Sequence, residues 1–234
     1  MKSILIAALL VTSNFLASAK DAPVAARLKS TDSIVWAGLD YSLMRMIGNT
    51  NTIRVPDLLF QNMPARWNEL FLDERIEGVA SLLKKRILID MVSVTERNKS
   101  ITPEQMVMSA RTADAVKTSH ITSNDIARIV RAQRMNYKSG LGLMFLVDRM
   151  VYAETTFEVF DVRRESKATR SSVREGGARP ASYAAAVYVV FFDVETREVL
   201  SAQREIRAVT TGGSFRNFWF GPIKDIDSDL GEYR

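Results

Sequence analysis

The feature that most constrains the fold is a long apolar segment near the carboxyl end of the chain. Residues 183–194 form the strongest β-type run in the sequence, and residues 195–197 follow it as a short polar turn. Residues 198–209 then return with apolar side chains on one face, at Leu200, Ala202, Ile206 and Ala208. Two such runs joined by a short turn predict an antiparallel hairpin with one solvated side.

The first half of the chain has a different pattern, in which strands alternate with a helix. Short apolar runs at 34–39 and 87–92 are typical of buried strands. Between them, residues 64–86 carry apolar side chains at three- and four-residue steps, with Pro64 suited to the first turn, and predict one helix. Residues 43–63 show no regular period, and we expect them to be irregular.

Two helix starts follow. Thr102 precedes Pro103 and has Gln105 three positions later, and Thr122 has Asp125 three positions later, which are the spacings of a capping box. We expect the second helix to run to about residue 137 and to stop at Gly140. Residues 143–153 then predict a central strand, interrupted by Asp148 and Arg149, and residues 157–162 predict another strand.

This order of elements predicts a mixed α/β fold. Early alternation of strands and helices favours parallel strands, and the late succession of strands favours an antiparallel extension with an α+β tendency. We therefore expect a single mixed β-sheet with helices packed on its faces, built as one domain over residues 33–234.

The amino terminus has the pattern of a secretory signal peptide. Lys2 precedes an apolar run over residues 4–16, and Ala17-Ser18-Ala19 is a small-x-small cleavage site. We expect residues 1–19 to be removed after Ala19 and residues 20–32 to be a polar lead-in. An uncleaved anchor is the alternative. No later segment reaches the length of a membrane helix, so we expect a secreted or periplasmic protein.

The composition excludes several classes of site. The chain has no cysteine and one histidine, so it lacks a thiolate nucleophile, a Cys-ligated metal and a three-histidine zinc site within one chain. The glycines at 140 and 142 are not placed like a phosphate-binding loop, because they enter a strand and lack a third glycine. We expect no metal and no cofactor.

Few residues are placed for catalysis. His120 lies between two expected helices, where we interpret it as a surface residue, and no nucleophile-elbow motif accompanies it. In parallel sheets, sites gather at the carboxyl ends of strands, where Asp40 and Ser42 are the candidate catalytic residues and Asp90 lies in the second strand. The alternative is that Asp40 caps the next segment and Tyr41 packs.

The net positive charge is concentrated in one segment. Residues 163–180 hold two acidic residues, Glu165 and Glu175, and six basic residues, which are Arg163, Arg164, Lys167, Arg170, Arg174 and Arg179. A flexible basic segment of this kind is suited to an anionic surface, and the alternative is a solvated connector. It contains no aromatic side chain, so we expect no binding of nucleic acid.

An aromatic cluster precedes the carboxyl terminus, within a segment at 215–226 that Pro222 keeps from being fully helical. Arg216, Asn217 and Trp219 lie among phenylalanines there and are candidates for a partner-binding patch. The alternative is that the cluster packs the terminal segment onto the sheet.

Four stretches carry a resemblance to known proteins, namely 35–42 (VWAGLDYS), 66–74 (RWNELFLDE), 191–203 (FFDVETREVLSAQ) and 212–223 (GGSFRNFWFGPI). They resemble an uncharacterised group of small secreted bacterial proteins. More distantly, they are similar to the α/β domains of periplasmic assembly factors of the curli-secretion type. The resemblance implies an envelope setting and transfers no functional residue. The lipoprotein cysteine of curli-type factors is absent.

Two functional hypotheses follow. The first is an exported, non-catalytic binding or envelope-assembly protein, whose partner is an envelope protein or an anionic envelope surface. The alternative is an exported, carboxylate-dependent hydrolase with its site at the strand ends.

Overall fold

A computed structural model of the chain describes residues 22–47, 57–102, 107–108, 117–153, 182–209, 220–223 and 225–233. Several sequence predictions lie outside these residues. They are the signal peptide at 1–19, the strand at 157–162, the basic segment at 163–180, and the patch residues Arg216, Asn217 and Trp219.

One mixed sheet organises the described residues. Its strands are β1 (Ser33–Asp40), β2 (Arg45–Ile47), β3 (Arg86–Ile89), β4 (Val107–Met108), β5 (Leu141–Ala153), β6 (Ser182–Asp193) and β7 (Val199–Val209). The helices are α1 (Ala22–Ser30), α2 (Asp57–Glu74), α3 (Ile76–Leu83), α4 (Val92–Lys99), α5 (Ser123–Arg131) and a 3-10 helix at Ile226–Tyr233. The predicted mixed α/β class is confirmed.

Strand β5 is the centre of the sheet. One edge of β5 pairs along its whole length with β6, which pairs with β7, and both pairings are antiparallel. The other edge carries two parallel strands in succession, with β1 against residues 141–146 and β2 against residues 149–151. Strands β3 and β4 extend the sheet beyond β1 and β2, also in parallel. The parallel and antiparallel halves therefore meet at β5.

Apolar side chains cover both faces of this sheet. On one face, α1, α2, α3 and the terminal 3-10 helix bury Trp36, Phe71 and Phe145, whose rings pack within 5.5 Å of one another. On the other face, α5 and Val94 of α4 pack over Met144 and Phe192. The core is thus a three-layer arrangement with the sheet in the middle.

Three regions of the amino-terminal half differ from the sequence prediction. Residues 22–30 form a helix instead of a polar lead-in, because Val24 and Leu28 lie one turn apart and are both buried. Residues 43–63 are not irregular throughout, since they include β2 and the start of α2. Pro64 lies inside α2, not at its start, where buried Trp67 and Phe71 anchor the helix to the sheet.

The predicted helix at 64–86 is two helices. Arg75 leaves helical geometry (φ −126°, ψ −23°) and separates α2 from α3, while its guanidinium group binds Asp227 with Nη2–Oδ1 at 2.6 Å. Strand β3 ends at Ile89, before the predicted boundary. It is an edge strand with exposed and half-buried residues, so the prediction of a buried strand is wrong.

Of the two predicted helix starts, only that at Thr122 is described completely, and it is confirmed. Thr122 and Asp125 form a reciprocal capping box, and their hydrogen bonds lower the pKa of Asp125 to about 2. Helix α5 ends at Arg131, earlier than predicted, and Gly140 (φ +127°) instead leads into β5. Residues 103–106 lie outside the described part, and β4 follows them where a helix was expected.

Candidate functional site

Polar side chains gather where two irregularities of the sheet face each other. Residues 41–44 interrupt the edge between β1 and β2, and β5 has a bulge between Val147 and Arg149 directly across from them. We call the side chains there the polar cluster, which comprises Asp40, Arg97, His120, Asp148, Arg149 and Arg204. It consists of two groups, Asp148 with His120, Arg149 and Arg204, and Asp40 with Arg97.

The bulge in β5 explains why two consecutive residues share one face of the sheet. Val147 pairs with Val187 and Arg149 pairs with Ala186, which is the next residue on β6, so Asp148 is the extra residue on β5. Because an inserted residue shifts the alternation of a strand by one position, Asp148 and Arg149 both point toward the α5 side. Arg204, which pairs with Tyr188, meets Asp148 on that side.

Asp148 is the acidic centre of the cluster. Its side chain is fully buried, and Arg204 Nε donates to Oδ2 over 2.7 Å. Arg149 Nε lies 3.8 Å from Oδ1, and His120 Nδ1 lies 2.9 Å from the same oxygen. A buried carboxylate is tolerated only when it is paired and hydrogen-bonded, and Arg204 supplies that pairing from the neighbouring hairpin.

His120 joins the cluster to the interruption between β1 and β2. Its Nε2 lies 2.9 Å from the carbonyl oxygen of Leu43, which can only accept, so Nε2 carries the proton. Burial lowers the pKa of His120 below its ordinary value, against the opposing effect of Asp148, and Arg45 lowers it further. The neutral ring is therefore favoured at neutral pH, and a second proton at Nδ1 would face Asp148 Oδ1.

Asp40 has a separate cation. Arg97 of α4 reaches its Oδ2 with Nε at 2.8 Å and Nη2 at 2.7 Å, and the backbone N–H of Ser42 donates to Oδ1 over 2.9 Å. The side chain of Asp40 is fully buried. The geometry therefore matches the alternative in which Asp40 caps the next segment while Tyr41 packs, here against Trp67 at 5.3 Å between ring centroids.

Two buried asparagines hold the end of β1. Pairing with β3 ends at Trp36, so the backbone beyond it needs other partners. Asn68 accepts from the Leu39 N–H over 2.7 Å and donates to the Leu39 carbonyl over 2.9 Å. Asn98 donates to the same carbonyl over 2.8 Å and accepts from the Tyr41 N–H over 2.8 Å. Amide side chains thus replace the missing strand.

The described residues offer little that could bind a metal or cross a membrane. Among them, no three His, Asp or Glu side chains are grouped to hold a metal ion. Within the same ranges, no helix is both long and apolar enough to span a bilayer. A shallow depression on α2 is lined by Asn62, Ala65, Arg66 and Glu69, all of them exposed, and lacks a buried polar group.

The sequence-predicted site residues have different positions in this structure. Asp40 lies in the polar cluster and Ser42 lies beside it, whereas Asp90 caps another loop by accepting from the Asn136 N–H over 2.6 Å. His120 is not a surface residue, because its side chain is 19% exposed. Sequence reasoning missed Asp148 and Arg204 as partners. The signal was the break that Asp148 and Arg149 make in an apolar strand.

Comparison with known proteins yields distant structural neighbours. No family model and no curated protein matches the sequence. A hypothetical protein of Chlamydia trachomatis aligns at 14% identity and a TM-score of 0.33, over 86% of this chain and 87% of that one. A lipoprotein of Neisseria meningitidis aligns at 10% identity and a TM-score of 0.32, over 86% and 98% of the two chains. The relationship to curli-type assembly factors stays a prediction.

Proposed function

We propose that this protein is exported and acts by binding, as a non-catalytic component of envelope assembly. The observation that supports this most is the state of its acidic groups at the strand ends. Asp40 and Asp148 are fully buried and bound by arginines, and Asp90 is buried and accepts backbone N–H groups. Such carboxylates hold the fold together and are poorly placed to meet a substrate.

Acid–base catalysis makes a different demand on a carboxylate. A general acid or base must reach the proton it transfers, within hydrogen-bond distance of a bound substrate. Arg97 and the Ser42 N–H already occupy both oxygens of Asp40, and α4 covers it. The alternative function, a carboxylate-dependent hydrolase, would require this ion pair to open before each turnover.

Export is tested at the amino terminus. We expect fractionation to find the protein in the periplasm or the medium, and amino-terminal sequencing to begin at Lys20. An Ala19→Asp variant places a charge at the cleavage site and should accumulate as the longer form. An unprocessed wild-type chain in the cytoplasm would refute export.

Binding is tested by crosslinking in the native envelope followed by capture of the protein. We expect a reproducible envelope partner, captured equally by wild type and by an Asp40→Asn variant under conditions in which circular dichroism shows both proteins to be folded. Hydrolysis of a substrate by the purified protein that is lost in Asp40→Asn would instead establish the alternative function.

The basic segment at 163–180 is the proposed contact with anionic surfaces. Replacing Arg170 and Arg174 by glutamine should reduce retention on phosphatidylglycerol vesicles at low salt, and high salt should abolish the difference. A matched variant with Arg66→Gln and Arg131→Gln removes the same charge from α2 and α5. Equal retention of the two variants would remove the segment from the proposal.

A further inference from the structure

The outer edge of β3 is arranged to accept another strand. Within the described residues, β3 pairs with β1 alone. The Arg86 N–H donates to the Asp32 carbonyl over 3.2 Å, and the Asp90 N–H donates to the Trp36 carbonyl over 2.9 Å. Because the amides of a parallel strand alternate in direction, the N–H and C=O groups of Ile87 and Ile89 point away from β1.

An apolar patch lies at the carboxyl end of this edge. Ile89 and Val92 are 46% and 47% exposed, and Tyr137 is 36% exposed; these are the exposed large hydrophobic residues of the described chain. Asp90 accepts the N–H groups of Asn136 and Tyr137, which brings Tyr137 to the end of β3. Three exposed apolar side chains at one place mark an interaction site more than scattered ones would.

The amino end of the same edge is basic. Lys84, Lys85 and Arg86 follow one another into β3, and none of them forms an ion pair with another described residue. Cations on an edge strand commonly discourage pairing. In β3 the cations lie only at the amino end, and the carboxyl end is apolar. We therefore expect the cations to disfavour pairing with a basic or neutral strand and to favour pairing with an acidic one.

We propose that β3 binds an extended acidic segment of a partner protein by strand addition. Backbone groups of the segment pair with Ile87 and Ile89, its carboxylates face Lys84 and Arg86, and an apolar side chain covers the patch at Val92. This inference rests on the proposed binding function and names its site and the chemistry of its partner.

A second copy of this chain fits the edge less well. Antiparallel pairing of two β3 strands about a two-fold axis sets outward-pointing residues opposite one another, so Ile87 of one copy would face Ile89 of the other and Lys84 would face Val92. Arg86 would face Asp90, which is buried and already hydrogen-bonded. Each copy would then set its cationic end against the other's apolar patch. Charge complementarity therefore favours a different, acidic partner.

Fluorescence anisotropy with short labelled peptides tests the proposal on the purified protein. The probes alternate valine and threonine over about ten residues, a length suited to one strand. One carries glutamates at its amino end, one carries them at its carboxyl end, and matched peptides carry lysines instead. We expect one of the acidic peptides to bind, which also gives the strand direction, and the lysine peptides to bind at least about tenfold more weakly.

Substitutions in β3 distinguish the contribution of backbone hydrogen bonds to peptide binding from that of side-chain charge. Ile89→Pro removes an N–H that points outward, so the ladder to β1 remains, and it should abolish binding, whereas Ile89→Ala should weaken binding less. The double substitution Lys84→Glu and Arg86→Glu should weaken binding of the acidic peptide at least about tenfold and should strengthen binding of the lysine peptide. Arg66→Glu with Arg131→Glu is the matched charge control and should leave both affinities unchanged.

Three results would overturn the inference. They are the absence of binding by either acidic peptide, equal binding by the Lys84→Glu/Arg86→Glu protein, and a dimer in sedimentation that Ile89→Pro dissociates. Capture of an envelope partner that Ile89→Pro leaves unchanged would also overturn it while leaving the proposed binding function standing.

Discussion

The asparagines that close the end of β1 give a quantitative test of the structure around the polar cluster. Replacing Asn68 by leucine keeps a branched side chain of similar length but removes its acceptor and its donor. The Leu39 N–H, which donates to Asn68 over 2.7 Å, is then buried without a partner. The Leu39 carbonyl keeps the second donor, Asn98 Nδ2, at 2.8 Å.

The expected magnitudes follow from these hydrogen bonds. An unsatisfied buried backbone group costs about 1–3 kcal/mol, so Asn68→Leu should lower the free energy of unfolding by about 2 kcal/mol. Asn98→Leu leaves the Tyr41 N–H unsatisfied and should cost a similar amount. In the double variant the Leu39 carbonyl loses both donors, so the total should exceed the sum of the single effects by about 1 kcal/mol.

Urea unfolding followed by tryptophan fluorescence measures these quantities, because Trp36 and Trp67 are buried in the same core. Asn124→Leu, at an exposed asparagine of α5, is the control and should change stability by less than about 0.5 kcal/mol. Strict additivity of the two buried substitutions would refute the shared-carbonyl argument. A cost no larger than that of Asn124→Leu would refute the argument that Asn68 and Asn98 hold the end of β1.

Three further predictions concern the sheet and the polar cluster. Burial lowers the pKa of His120, so as pH falls the unfolded chain binds a proton at this residue before the folded chain does. The free energy of unfolding should therefore decrease as pH drops through the unfolded pKa of about 6.5, and should decrease less in His120→Gln. Urea midpoints measured across pH test this. Asp148→Leu leaves Arg204 without its buried partner and should cost about 3 kcal/mol in urea unfolding, part of which Arg204→Leu restores. Gly142→Ala places a Cβ atom 2.3 Å from Phe192 Cζ and should cost about 1–3 kcal/mol, with a smaller loss in a Phe192→Leu background.

Each of these has a result that contradicts it. An unchanged pH profile in His120→Gln would show that another group titrates. Full stability of Asp148→Leu would show that Arg204 needs no buried partner. An equal loss for Gly142→Ala in both backgrounds would locate its effect in the backbone instead of at the Phe192 ring.

Those elements whose signal is local were predictable from the sequence. The hairpin of β6 and β7 has two long runs and a short turn, and β5 has an almost unbroken apolar run, so neighbouring residues alone specify them. The capping box at Thr122 needs only a spacing of three residues. In each case the physical cause lies within a few positions along the chain.

Elements imposed by tertiary contact were not predictable in this way. Strands β2 and β4 have three and two residues, too few to show a period, and β2 is extended because it pairs with β5. Helix α1 has only a weak apolar stripe in its sequence, and the helix is stabilised by the packing of Val24 and Leu28 against the sheet.

The polar cluster illustrates the same limit for a candidate site. His120 and Asp148 lie on different elements, and their separation of 2.9 Å depends on a bulge that only the pairing of β5 with β6 reveals. Sequence reasoning marked Asp148 as an interruption and His120 as exposed. The sequence did not predict that the bulge at Asp148 in β5 lies opposite residues 41–44, which separate β1 from β2.

That juxtaposition has a consequence for where a partner binds. At the interruption after β1, the backbone runs out of strand partners, and polar side chains must satisfy it. The buried amides and carboxylates there are therefore committed to holding the sheet together. Strand β3 ends beside the same interruption and keeps outward backbone groups at Ile87 and Ile89 and an apolar end. Its basic end has no ion-pair partner among the described residues. If the protein acts by binding, this edge offers a partner backbone hydrogen bonds without breaking any of the described ones, together with an apolar end and a basic end.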